Sequence, residues 1–236
     1  MSDQPFDELG RIAFLLWPPA PGDADGVLAW LREDAPAALD QAGAGLLQMN
    51  LDDADVAAAQ LRLSTFEEPV RAAVFATLDP RAVSEVLALL RGHAGRVEGW
   101  EVATTEPLVP PAGAAGQRAE GLANVALIRR RADIDDAEFV RRWQGDHTEV
   151  AIRTQSTTGY AQHRVVRGLE PGTPVVHAIV EETFPLAAMT DLHEFYGSGG
   201  DDEELGRRMR EMMESVARFA DDSRIDVVPS SRYVFA

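Results

Sequence analysis

Asp135–Val166 reads DDAEFVRRWQGDHTEVAIRTQSTTGYAQHRVV, and the order of elements it implies decides the fold. Asp135 is placed to cap a helix, with Glu138 three residues on returning a bond to the cap's own N–H. Phe139, Trp143, His147 and Val150 recur at helical spacing, so they share one face turned toward a core. Gly159 breaks the chain, and Tyr160–Val166 alternates as a strand.

Around this unit, NVALI (Asn124–Ile128) precedes as a strand and AIVEETFP (Ala178–Pro185) follows as another. A helix over Asp202–Phe219 then carries Leu205, Met209, Met212, Val216 and Phe219 on one face, and Ile225–Val228 is the last strand. The first half repeats this order. Arg11–Trp17 is a strand, Asp23–Asp34 a helix, and Leu46–Leu51 and Ala72–Leu78 are strands. A helix opens at Asp79-Pro80, with Val83, Val86, Leu87 and Leu90 as its stripe, and Val97–Ala103 closes the half. GLLQMN (Gly45–Asn50) and GYAQHR (Gly159–Arg164) keep Gly and Gln in register. Val109–Gly121, rich in Pro, Gly and Ala, reads as a linker. The chain therefore divides into a degenerate half (1–108), a linker (109–121) and a second half (122–236). The expected fold is α+β: two ferredoxin-like β-α-β-β-α-β repeats packed sheet to sheet as an intrachain dimeric α/β barrel.

A chain of 236 residues can bury a sizeable core, and its 45% hydrophobic and 26% charged content is that of a soluble globular protein. A net charge of −17 argues against nucleic acid or an anionic membrane as partner. The chain has no cysteine, which removes disulfides, thiolate catalysis and Cys-ligated metals. MSDQPFDELG at the start lacks the basic and apolar runs of a signal peptide, so a cytoplasmic location is expected.

The halves differ in polarity. By the sequence register Tyr160 corresponds to Leu46, His163 to Met49, Arg164 to Asn50, His177 to Arg71 and Glu181 to Phe75, and His147 falls near Ala35. The second half alone has gathered ionisable side chains, which predicts one active cavity per chain. Strand alternation puts Tyr160, Gln162 and Arg164 on one face and His163 on the other. Set beside an apolar Leu47, Met49 and Leu51, this predicts a cavity lined by Tyr160, Gln162, His177, Ile179 and Glu181 and approached by His147. Glu182, on the opposite face, is expected to pair with an arginine.

W-x3-H (Trp143, His147), G-Y-x-Q (Gly159, Tyr160, Gln162) and Glu181 in the third strand together resemble the EthD family, a branch of the dimeric α/β barrel superfamily. The resemblance covers Leu122–Phe235, and the fused first half departs from the usual single-domain form. It implies the barrel. The superfamily spans cofactor-independent monooxygenases, polyketide cyclases, dehydratases, haem peroxidases and small-molecule binding proteins, so it does not fix a reaction.

The expected function is a cofactor-independent enzyme acting on a small, largely apolar carbonyl or phenolic compound. Proton transfer would lead to elimination, cyclisation or isomerisation. His147 is the candidate acid or base, Tyr160 an oxyanion-side donor, and Glu181 and His177 orienting groups. Trp143, Asp146, Gln162, Arg164 and Ile179 are the candidate substrate contacts. Two alternatives stay open: cofactor-free oxygenation in the same cavity, and a non-catalytic barrel that only holds a ligand. His147 itself reads either as catalytic or as a core histidine. A metal held by His163, His177 and Glu181 is opposed by their alternation, so no metal is expected. Gly22-Asp23-Ala24-Asp25-Gly26 fits the G-x-x-D-G pattern of dye-decolourising peroxidases, but reads here as helix capping, so no cofactor is expected. The expected partners are a small apolar ligand and, for the fused chain, a second copy as homodimer.

Overall fold

The structure is a computed structural model that describes residues 10–19, 23–111 and 113–235. Most of the MSDQPFDELG start, Gly22 of the peroxidase-like pattern and Ala112 of the linker lie outside the described residues.

The first half runs β1 (Gly10–Trp17), α1 (Ala24–Glu33), α2 (Ala35–Gln41), β2 (Ala44–Leu51), β3 (Ala72–Leu78), α3 (Val83–His93) and β4 (Arg96–Leu108). The second runs β5 (Leu122–Ile128), α4 (Asp136–Val140), a π-helical stretch (Arg141–His147), α5 (Thr148–Thr154), β6 (Gly159–Gly168), β7 (Ala178–Phe184), α6 (Leu192–Tyr196), α7 (Asp202–Val216) and β8 (Asp226–Phe235). Apart from two added helices, α2 and α6, the order is the expected one. The added helices are seven and five residues long, too short to show a periodic stripe. The Asp79-Pro80 pair forms a turn, with Asp79 accepting from the Arg81 N–H, and α3 starts only at Val83.

Packing of two separate sheets face to face as a barrel is not what forms. All eight strands belong to one antiparallel sheet in the order β1-β3-β2-β8-β5-β7-β6-β4, and β4 pairs in turn with β1. The halves meet edge to edge, β2 on β8 and β4 on β6. The reason is strand length. β4 has 13 residues and β8 has 10, more than the seven of β5 or β7, so their edges continue into the other half. The N–H and C=O groups of those edges are satisfied by pairing rather than left bare.

One face of the sheet packs inward, on Leu15, Trp17, Phe75, Trp100, Leu127 and Ile179 among others. The other faces the helices. In the first half its core is wholly apolar apart from Tyr233, and includes Ile12, Leu31, Leu47, Met49 and Ala76. In the second it includes Phe139, Trp143, Tyr160, Met212 and Phe219.

Asp135 caps α4 as expected, accepting from the Glu138 N–H at 2.8 Å. The reciprocal half of the capping box is not made, because the Glu138 carboxylate is held by Arg141 and Arg142. Phe139, Trp143, His147 and Ala151 are buried at a spacing of four, Thr154 is buried three residues further on, and Val150 is only partly buried. The π-helical turn accounts for this. It widens the helix past 3.6 residues per turn, so a spacing of four stays on one face.

Candidate functional site

His147 ends the π-helical stretch and is 6% exposed. Its Nδ1 shares a hydrogen bond with Ser215 Oγ of α7 at 2.9 Å, and its ring lies 4.8 Å from that of Phe219. Burial lowers its pKa from 6.5 to about 4, so the imidazole is neutral at physiological pH. Among the described residues its Nε2 has no hydrogen-bond partner. Phe219 and Trp143 both pack on Phe139, with ring centroids 5.9 and 5.5 Å away, so His147 stands at the end of an aromatic wall.

Tyr160 is fully buried on the same outer face, beside Gln162 and Trp143. Burial first, then the nearby Glu182, pushes its pKa upward, so it stays a neutral donor. Gln162 donates to Thr148 Oγ1 at 2.9 Å. Four of the expected residues, Trp143, His147, Tyr160 and Gln162, thus belong to one layer. That layer lies between the sheet and the helices of the second half, not inside the sheet.

The inversion has a local cause. Gly45 pairs with Thr77, but Gln48 pairs with Phe75, so Leu46 and Leu47 together occupy one position of β2. Leu46 has φ 41°, the one positive φ at a non-glycine among the described residues. This bulge turns β2 over by one residue relative to β6. Gln48 therefore points inward, whereas Gln162, its match in the sequence register, points outward. Leu46, the sequence-register match of Tyr160, is 72% exposed and borders a surface cleft of 360 Å³ with Pro36, Gly116 and Phe235.

Glu181 does point inward, as expected, but its role is not the expected one. It is 1% exposed, and Oε1 accepts from Gln48 Nε2 and Asn50 Nδ2 at 2.8 Å each and from Arg232 Nε at 3.0 Å. Three donors consume this carboxylate. His163, expected under the helices, points inward too. It stacks on Phe75 at 4.4 Å and bonds Thr104 Oγ1 through Nδ1 at 2.8 Å. Its pKa is lowered to about 3, by burial first and then by Arg11.

His177 leaves the cavity in which it was placed. Val176 belongs to the inner core and Ala178 to the outer one, and the chain bends at His177 between them. The bend cancels the alternation counted back from Glu181. His177 Nδ1 accepts from the Arg130 N–H at 3.1 Å, and the ring lines an outer cleft of 280 Å³ with Asp136, Phe139 and Arg164. Arg164 is exposed there. Ile179 is an inner-core residue, and Asp146 pairs on the surface with Arg141 and Arg218, so neither meets His147's layer as a substrate contact.

Sequence reasoning missed Ser215. It lies three residues after Met212 on the buried face of α7, so the helical stripe that selected Met212 and Val216 already ran past it. Among the described residues no cluster of three or more His, Cys, Asp or Glu could hold a metal ion, and no helix is long and apolar enough to cross a membrane.

No family model and no curated protein matches this chain in sequence. Solved structures match in shape. An anthrone oxidase-like protein is 7% identical, with 98% of this chain and 92% of that chain covered and a TM-score of 0.52. A mutant chlorite dismutase from Candidatus Nitrospira defluvii is 11% identical, with 95% and 91% covered and a TM-score of 0.53. At such identities the likeness is one of fold alone.

Proposed function

We propose that the chain is an enzyme for small, largely apolar carbonyl or phenolic compounds, working by proton transfer in the outer layer of its second half. The observation that carries this reading is the His147–Ser215 pair. A buried, neutral imidazole is oriented through Nδ1, its Nε2 is left without a partner among the described residues, and its ring packs against Phe219. A neutral imidazole takes a proton from carbon, while Tyr160, held neutral by burial, donates to a developing oxyanion. On this reading residues 122–236 form the working half, residues 1–108 a degenerate one, and 109–121 the linker.

The test is proton exchange rather than full turnover, since the natural substrate is not needed for it. Acetophenone in D2O should lose its methyl proton signal faster with the protein than without, and His147→Gln should remove the acceleration with the fold intact. Unchanged exchange in His147→Gln overturns the assignment. A second reading, oxidation by dioxygen in the same aromatic enclosure, draws on the description of the anthrone oxidase-like fold. Oxygen uptake with anthrone, lost in the same variant, selects it over proton transfer alone.

A further inference from the structure

Three adjacent strands of the second half place Asn124, Glu182 and Tyr160 side by side. Glu182 of β7 is the register partner of Asn124 on β5 and of Tyr160 on β6. Side chains directly opposite one another in such a ladder have Cβ atoms about 4.5–5.5 Å apart on one face. That face is the outer one, which also carries the His147 layer.

The row is unusual in what it leaves unmade. Asn124 is 1% exposed, and both its amide nitrogen and its amide oxygen are buried without a hydrogen-bond partner. Buried amides are nearly always bonded, because an orphaned one keeps its full desolvation cost. Glu182 makes no ion pair or hydrogen bond among the described residues, so the arginine expected for it is not there. The same row in the first half is Ile12, Ala76 and the bulged Leu47, all buried and apolar. Sheet packing therefore does not require polar groups here.

We propose that Asn124 and Glu182 form the polar wall of the second half's site, holding the carbonyl oxygen of a small apolar ligand between two hydrogen-bond donors. The proposal rests on the reading of this layer as a reaction site. Asn124 Nδ2–H donates one bond and the protonated Glu182 carboxyl the other. When His147 takes a proton from the adjacent carbon, the electron pair of that C–H bond forms the enol C=C. The Glu182 proton then passes to the oxygen, leaving a carboxylate and an imidazolium that exchange protons with water. Glu182 is partly exposed, and its desolvation among these side chains pushes its carboxyl up to about 7. The titratable groups that face it are Tyr160 from β6 and Tyr196 from α6, with Arg208 of α7 donating to the Tyr196 carbonyl.

The test uses the full chain and acetophenone, whose carbonyl oxygen only accepts, with affinity measured by calorimetry. If only protonated Glu182 binds, affinity falls about tenfold between pH 6 and pH 8. Glu182→Gln keeps a donor and should bind at both pH values without that slope. Asn124→Leu should weaken binding at pH 6 by roughly tenfold, the loss of one buried hydrogen bond. Thermal melts report whether each variant folds, and if Asn124→Leu does not, the slope lost in Glu182→Gln decides. Equal wild-type affinity at the two pH values, or a slope that persists in Glu182→Gln, overturns the proposal. The two readings fail separately. Exchange that depends on His147 with no Glu182-dependent slope removes this proposal alone. Binding that follows Glu182 with no exchange removes the enzymatic reading alone.

Discussion

Replacing Glu181 by Gln separates a structural carboxylate from a catalytic one. The side chain keeps its shape and one carbonyl-type oxygen, so the three donors from Gln48, Asn50 and Arg232 still find an acceptor. What is lost is the charge. A hydrogen bond to a charged group contributes about 1.5–3 kcal/mol and a neutral one about 0.5–1.5, so three bonds lose about 3 kcal/mol together. The same figure follows from the ion pair, because Arg232 (10% exposed) is left with its charge buried, at a cost of about 3–5 kcal/mol. Urea unfolding should therefore show the free energy of unfolding lowered by that amount, as a lower midpoint with an unchanged slope. Acetophenone exchange per folded molecule should stay at the wild-type rate. An unchanged midpoint with exchange abolished refutes the reasoning and returns Glu181 to the reaction site.

Acid should weaken the fold through His147 and His163, whose pKa values fall from 6.5 to about 4 and about 3. Groups with depressed pKa values give stability that is present above 6.5 and lost as pH falls, about 1.4 kcal/mol per pH unit for each. Glu182, raised from 4.5 to about 7, acts oppositely, its contribution being lost as pH rises through that range, and His163→Asn should flatten the net slope seen in urea titrations between pH 4.5 and 6.5. Leu46→Gly should raise stability by about 1 kcal/mol, since φ 41° is left-handed backbone that glycine adopts freely; a lower melting temperature would show that the Leu46 side chain stabilises the fold. Gly159→Ala should cost about 1–3 kcal/mol, because a Cβ there would stand 2.6 Å from Thr183 Oγ1 and closer still to the Pro110 backbone.

How far the sequence could be read depended on which regularity each residue obeyed. Strands such as Ala72–Leu78 and Ala178–Phe184 are bounded by turn residues, and their positions were legible to within a residue or so. The π-helical turn kept Phe139, Trp143 and His147 aligned despite a spacing that drifts on an ideal α-helix. What could not be read was which face of the sheet looked where. Period-two alternation fixes faces only relative to a reference strand, and the reference taken was β2. Its bulge is made by two leucines with nothing in their chemistry to mark one as left-handed, and every face carried over to β6 was inverted. His177 failed for the same kind of reason, a bend one residue before the strand begins.

The Glu181-Glu182 pair makes the consequence concrete. Two identical residues, adjacent in the chain, face opposite ways in β7, and the period of a strand alone assigns them different work. Glu181 enters a layer where Gln48, Asn50 and Arg232 converge on it from β2 and β8, strands joined only because the halves meet edge to edge. A carboxylate with three donors is stable where it is and has little left to exchange. Glu182 enters the layer beneath the helices of its own half, where its neighbours across the ladder are an amide without partners and a tyrosine kept neutral by burial. Its charge is opposed by desolvation and, among the described residues, answered by no cation, which pushes its carboxyl up to about 7. A group in that state gives and takes a proton at little cost. The different surroundings of the two carboxylates therefore follow from edge pairing between the halves. That pairing supplies donors to the inner carboxylate and none to the outer one among the described residues.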